Sequence, residues 1–251
     1  MNIRMIIADL DGTLLREDKT VSERTLAAIE RCKVKGIKTV FATGRGSTAS
    51  ALVPSYLFDG FIYCNGAKAY AGDVQVYCRL IPINNVRDLL VACDEAGFRV
   101  AAENNGIHYS NFNVAKTFPQ LRQFEEVDFY KHNIDTEKIY AIIDSPEVVK
   151  LIRRYLSNDL YLQESRDGFA FVMHKDALKS AATASLAEYW DIDRNEIAAF
   201  GDDLNDINLL EYSGVGIAMG NALSDVKAAA DQICDTNEND GIAVWLEENL
   251  L

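Results

Sequence analysis

The residues best placed to do chemistry are carboxylates at the ends of apolar runs. Asp9 and Asp11 follow Met5-Ile6-Ile7-Ala8, while Asp202 and Asp203 follow Ile197-Ala198-Ala199-Phe200 and Gly201. Thr43 and Asn65 close two further runs of the same kind. Clustered carboxylates repel one another and resist ionising together. Their natural partner is a hard divalent cation with oxygen ligands, and Mg²⁺ suits one or two carboxylates plus water. The segment Asp9-Leu10-Asp11-Gly12-Thr13 also has a mechanical reading. Asp9 can attack phosphorus and form an acyl phosphate. Asp11 can reach the leaving oxygen as general acid and later take a proton from water. Gly12 lets the backbone turn sharply and offers N–H groups to an anion. A single strand-end Asp commonly does no more than cap the next helix, but that explanation is poor for the whole set on one edge.

Apolar strands must position these residues. The runs at 5–8, 39–42, 61–64, 197–200 and 215–218 are continuous, as in strands buried on both faces of a parallel sheet. Ser22 is placed to cap a helix carrying Leu26, Ile29 and Cys32 on one face, stopped by Gly36. Strand and helix alternate, so the strand ends share one rim, where ligands of open parallel sheets bind. After residue 66 the rhythm changes. Gly72-Asp73 reads as a hairpin turn between 67–71 and 74–80. A helix at 86–96 and strands at 98–102 and 138–143 follow. Ser145-Pro146 then opens a helix, with Ser as its cap and Pro at its first position. A hairpin at 160–164 and 169–173 turns at Arg166-Asp167-Gly168. Residues 109–137 carry no assignable pattern. Helices at 178–190 and 204–212 and two more at the end restore the first rhythm. The expected fold is α/β: a doubly wound, Rossmann-like parallel-sheet core formed by residues 1–81 and 176–251. A smaller α+β cap, residues 82–175, interrupts it.

Four motifs, in order, resemble those of the haloacid dehalogenase superfamily, and within it the Cof-type phosphatases. They are Asp9-Leu10-Asp11-Gly12-Thr13; Thr43-Gly44-Arg45; Lys179 opening a helix; and Gly201-Asp202-Asp203-Leu204-Asn205-Asp206. Asn65-Gly66-Ala67 and the stretch from Gly216 to Ala222 resemble secondary signatures. The resemblance spans the core, and the insert resembles the α/β cap of this branch. It implies Asp9 as nucleophile and Asp11 as acid/base. It also implies Mg²⁺ held by Asp9, the Asp11 carbonyl and Asp202, with Asp206 behind Asp202 or acting through water. Thr43, Gly44, Lys179 and Asn205 would hold phosphate oxygens. Asn65 is a further candidate for substrate contact. Arg45 either contacts substrate or pairs with a rim carboxylate. Lys179 is followed here by Ser180, where this branch usually has Gly, so Lys175 is a second candidate for the phosphate lysine. The second Asp, Asp11, favours phosphate ester hydrolysis over ion pumping or dehalogenation.

The implied function is Mg²⁺-dependent hydrolysis of a small phosphorylated metabolite, such as a sugar phosphate, through an aspartyl phosphate. One alternative is a phosphomutase, for which Arg99, Arg122, Arg153, Arg154 and Arg166 of the cap could supply cations. The other is a catalytically silent sugar-phosphate-binding regulator, which should have lost some of these carboxylates.

Composition narrows the partners. The 251 residues carry 25 Lys and Arg against 38 Asp and Glu, a net charge of −13. Such a chain is repelled overall by nucleic acid and by anionic membranes. Five scattered cysteines without a C-x-x-C pair suggest small buried hydrophobes in a reducing compartment. A strand-like run begins at Met5 and leaves no room for a signal peptide, and no apolar run is long enough to span a membrane. The expected location is therefore cytoplasmic; the oligomeric state is not legible. His108, His132 and His174 show no metal spacing and are expected at solvated surface or cap positions. Gly214, Gly216 and Gly220 are spaced wrongly for a dinucleotide fingerprint.

Overall fold

The computed structural model describes residues 2–119, 121, 123–165 and 167–251. It falls into two compact units, Met1–Cys78 with Leu178–Leu251, and Arg79–Ala177. The first and last segments build the core. It begins with β1 (Met5–Asp9), α1 (Glu23–Val34), β2 (Lys38–Ala42), β3 (Gly60–Tyr63), β4 (Lys68–Ala71) and β5 (Val74–Cys78). The inserted cap comprises α2 (Ile83–Glu95), β6 (Val100–Asn104), β7 (Ile107–Ser110), α3 (Val114–Thr117), β8 (Phe124–Glu126), β9 (Lys138–Ile142), α4 (Pro146–Tyr155), β10 (Leu160–Glu164) and β11 (Phe169–His174). The core resumes with α5 (Lys179–Tyr189), β12 (Ile197–Gly201), α6 (Ile207–Tyr212), β13 (Val215–Ala218), α7 (Ser224–Ala229), β14 (Gln232–Ile233) and α8 (Gly241–Asn249).

The core sheet runs β14-β13-β12-β1-β2-β3-β4-β5. From β14 to β3 every pairing is parallel; β4 and β5 continue the sheet as an antiparallel hairpin. β1 and β12 are buried along their whole length, which is why they read as unbroken apolar runs. Their neighbours in the chain lie on opposite sides of the β1–β12 pair, so this is the point where the strand order reverses. The carboxyl ends of β1 and β12 therefore open onto the crevice where such sheets bind ligands. Ser22 caps α1, its hydroxyl accepting from Thr25 N at 3.0 Å. Phe41 on β2 is fully buried and meets Phe58, Phe61 and Tyr63 edge-on, with ring centroids 5.3–5.7 Å apart.

The cap sheet runs β10-β11-β9-β6-β7-β8 and is antiparallel except for β7–β8. One face packs Val100, Ala102, Ile139, Ala141 and Val172 against Leu89 and Leu90 of α2 and Val148 and Ile152 of α4. The other face carries a buried polar group. There Lys138 lies 3.1 Å from Glu103, and the Tyr140 hydroxyl lies 3.1 Å from His108 Nδ1.

Several expectations are corrected here. β7, α3 and β8 occupy the stretch that carries no pattern in the sequence, and β14 is an additional edge strand. Ser145 stands before α4, but its side chain makes no cap hydrogen bond; the fixed φ of Pro146 starts the helix instead. His108 and His132 lie in the cap, one of the two expected places, but they are buried there, and burial pushes both imidazoles below their ordinary pKa. Cys32, Cys64 and Cys93 are buried, while Cys78 and Cys234 are only partly so. Arg99 and Arg153 are engaged with Asp144 (3.4 Å) and Glu164 (2.8 Å). Arg122 and Arg166 lie outside the described residues.

Phe41 gives the core a direct test. Phe41→Ala should destabilise the core by about 3–5 kcal/mol, the range for truncating a buried aromatic residue. Urea unfolding monitored by circular dichroism checks this; a loss under about 1 kcal/mol would show that the aromatic cluster does not organise this half of the sheet.

Candidate active site

The site grows from two strand ends and one helix start. β1 ends at Asp9, and its register with β12 sets Ala8 beside Phe200. Asp202 follows β12 by one residue. Lys179 opens α5, and Gly66 fixes how close that helix start can come. The backbone of Gly66 is left-handed (φ 104°), and a Cβ there would strike the Leu178 carbonyl.

Lys179 is fully buried. Its Nζ donates to Asp9 Oδ1 at 2.5 Å and to Asp206 Oδ1 at 2.6 Å. Burial opposes its charge, but Asp206 and Asp9 outweigh that and hold its pKa above the ordinary lysine range. Asp9 is pushed the other way. Burial raises its carboxyl well above the usual range, Asp206 and Asp202 add to the rise, and Lys179 opposes it. The second oxygen of Asp206 accepts from the backbone N–H groups of Asp202 (3.0 Å) and Asp203 (3.1 Å), so both its oxygens are engaged in holding Lys179 and the loop. Asp202 accepts from the Thr13 hydroxyl at 2.7 Å and is pushed up to about 6, chiefly by burial, against the pull of Thr13 and with Asp206 adding to it.

One oxygen each from Asp9, Asp202 and Asp206 lies within 4.8 Å of the others. Three carboxylates facing one ammonium leave an excess of negative charge that burial makes costly. Gly12 keeps space beside them: its φ is 80°, and a Cβ would land on Asp202 Oδ2. The donor set is hard oxygen throughout, so it fits a divalent cation such as Mg²⁺.

The other expected residues sort into two groups. Thr43 is buried, and its Oγ accepts from Arg45 N at 3.1 Å. Asn205 donates to Asn65 Oδ1 at 2.8 Å, and the same oxygen crowds Gly44, where a Cβ would meet it at 3.0 Å. Thr43, Gly44, Asn65 and Asn205 thus form one polar group. Asp11 stands apart from the buried cluster. Arg45 grips it with Nε at 2.5 Å and Nη2 at 2.7 Å, and Lys19 adds a contact at 2.9 Å. Burial alone would raise its pKa, but these hydrogen bonds outweigh it and hold the carboxyl below the ordinary range. Asp203, one of the four clustered carboxylates of the sequence reading, caps the next turn by accepting from Leu204 N at 2.8 Å. Lys175 pairs with Asp159 at 2.6 Å within the cap, so it is Lys179 that meets the core carboxylates.

Sequence reasoning missed three participants. Thr13 supports Asp202, Asn221 Nδ2 donates to the Gly12 carbonyl at 2.7 Å, and Lys19 contacts Asp11. Thr13 and Asn221 sit inside recognised motifs, which was a signal; Lys19 has none.

These features agree with comparison to known proteins. The haloacid dehalogenase-like hydrolase family matches this chain over residues 6–246. The 5-amino-6-(5-phospho-D-ribitylamino)uracil phosphatase YitU of Bacillus subtilis is 30% identical, covering 97% of this chain and 96% of its own. A haloacid dehalogenase-like hydrolase from Bacteroides thetaiotaomicron superposes with a TM-score of 0.88 at 25% identity, covering 98% and 99% of the two chains. The subclass IIB sugar phosphatase BT4131 superposes at 0.85 with 27% identity, covering 98% of each. The chain belongs to the haloacid dehalogenase-like hydrolase family, in its Cof-type branch, and is a phosphoric monoester hydrolase.

The raised Asp202 pKa gives a stability test. A carboxyl raised in the folded state stabilises below its unfolded pKa, about 4, and that contribution is lost as pH rises through the folded value. In chelator, Asp202→Asn should therefore gain stability relative to wild type between pH 4 and pH 7, reaching about 2–3 kcal/mol. Urea unfolding across that range measures it; a difference independent of pH would refute the raised pKa.

Proposed function

We propose that this enzyme is a Mg²⁺-dependent phosphatase of small phosphorylated metabolites, sugar phosphates among them, acting through an aspartyl phosphate on Asp9. The observation that carries this reading is the buried group of Asp9, Lys179, Asp206 and Asp202 at the carboxyl ends of β1 and β12. The substrate class draws support from the relatives, whose names include a phosphoribitylaminouracil phosphatase and a sugar phosphatase. All the carboxylates of the motifs are present, so nothing favours a silent regulator, and no observation favours a phosphomutase.

A bound divalent ion, held by Asp9, the Asp11 carbonyl and Asp202, would neutralise phosphate charge and let Asp9 ionise. Asp206 acts from behind, orienting Lys179 and the Asp202 backbone. Asp9 Oδ attacks phosphorus; the P–O bond to the alcohol breaks as Asp11 gives that oxygen its proton. Water then attacks the phosphoryl group, Asp11 takes back a proton, and Asp9 leaves as carboxylate. Lys179 and the Thr43 hydroxyl offer charge and a donor to the phosphoryl oxygens, which is what this chemistry most requires. With Arg45 and Lys19 on it in the free enzyme, Asp11 is a carboxylate, the form needed to activate water; to act first as acid it leaves those cations and takes up a proton from solvent.

Two variants and one chelation test the reading. Asp9→Asn should abolish both phosphoenzyme and turnover. Asp11→Asn should slow turnover on alkyl phosphates by roughly 10²–10⁴-fold, and less on nitrophenyl phosphate, whose leaving group needs little protonation. Chelator should remove activity and Mg²⁺ restore it, with Ca²⁺ a poor substitute because its coordination is looser. Single-turnover kinetics with acid trapping of phosphoenzyme decides. Normal turnover by Asp9→Asn would exclude the covalent route, and full activity in chelator would exclude the metal.

A further inference from the structure

Beside the buried cluster, the core carries a second and differently built charged group. Asp11 is one carboxylate held by two cations, Arg45 through both Nε and Nη2 and Lys19 through Nζ. The trio keeps one net positive charge in a protein whose net charge is −13. It is also open to solvent: the side chains of Arg45, Lys19 and Asp11 are 42%, 52% and 36% exposed. Among the described residues neither cation has another ion-pair partner.

Lys19 is aimed at this place at a conformational cost. Its backbone is left-handed (φ 65°), a region that favours glycine. The turn that holds it is closed by Lys19 N donating to the Arg16 carbonyl (3.0 Å) and Arg16 N to that of Thr20 (2.9 Å). Asp18 secures its far side by accepting from Thr20 N at 2.9 Å. Strained positions of this kind persist where function needs the side chain they present.

We propose that Lys19 and Arg45 form a recognition site for a carboxylate on the alcohol part of the substrate, which Asp11 occupies in the free enzyme. This rests on the phosphatase reading above and narrows its substrate class. Arg45 already displays the two-pronged grip that matches a carboxylate, with Lys19 as a point charge beside it. An incoming carboxylate takes over those donors, brings the two cations to balance together with Asp11, and frees Asp11 to turn toward the leaving oxygen. Because Asp11 must reach that oxygen, a carboxylate held by its own partners lies one or two carbons away. Within that class the favoured substrates are thus phosphate esters of 2- or 3-hydroxy acids, sugar acids among them. Neutral alcohol phosphates, such as those of simple sugars, are cleaved without this gain in binding, because they lack the group that displaces Asp11.

The experiment compares phosphate release from 2-phosphoglycolate and from its uncharged amide, in wild type, Lys19→Met and Lys19→Arg, with nitrophenyl phosphate as a control. Wild type should show a KM for the acid lower on the order of 10-fold, the size of one charge-assisted hydrogen bond. Lys19→Met should bring the two KM values together, and Lys19→Arg should keep them apart. If Lys19 only positions Asp11, Lys19→Met lowers kcat on both substrates alike and leaves the KM ratio intact, which overturns the proposal. A wild-type ratio near one, or no release from either ester while nitrophenyl phosphate is cleaved, also overturns it and leaves the phosphatase reading standing. No release from any of the three overturns both.

Discussion

One buried ammonium organises the catalytic end of the core. Lys179 has no exposure, and a charge so placed persists only if paired and hydrogen-bonded. Its two partners come from β1 and from the turn after β12, nearly 200 residues apart, so the ion cluster fastens the two halves of an interrupted domain. Removing one member of such a group leaves an uncompensated buried charge, at a cost of about 3–5 kcal/mol. Asp206 shows why the group is held so firmly: one oxygen faces Lys179 while the other takes two backbone N–H groups of the loop that presents Asp202.

The same physics separates the two aspartates of the first motif. Asp9 lies at the end of a fully buried strand, where burial and neighbouring carboxylates resist its ionisation. Asp11, two residues on, has left the strand and meets Arg45 and Lys19 at the surface, which favour its charge. Two aspartates separated only by Leu10 thus occupy opposite electrostatic environments. Environments that push the pKa values of neighbouring carboxyl groups apart are a general route to acid and base chemistry at one pH.

What the sequence could reveal follows the range of the interactions involved. Buried parallel strands must be apolar throughout, so β1, β2, β3, β12 and β13 were visible as runs, and their polar ends marked the rim. The short strands β7 and β8 and the two-residue β14 were not visible. Their residues are mixed in polarity, and pairing with neighbours decides their conformation. The Ser22 cap needs only local geometry and could be read; at Ser145 the same residue type makes no cap bond, because side-chain rotamer is not written in residue order.

Thus residue types and spacing by themselves determined the family, the α/β core and the identity of the acidic rim, since motifs at strand ends require only local order. Tertiary structure alone set Lys179 against the core carboxylates and Lys175 against Asp159, turned Arg45 onto Asp11, recruited Lys19, and made Asp203 a helix cap. Each of these depends on which charges come within about 3 Å of one another, and that distance is set by how strands far apart in the chain lie side by side.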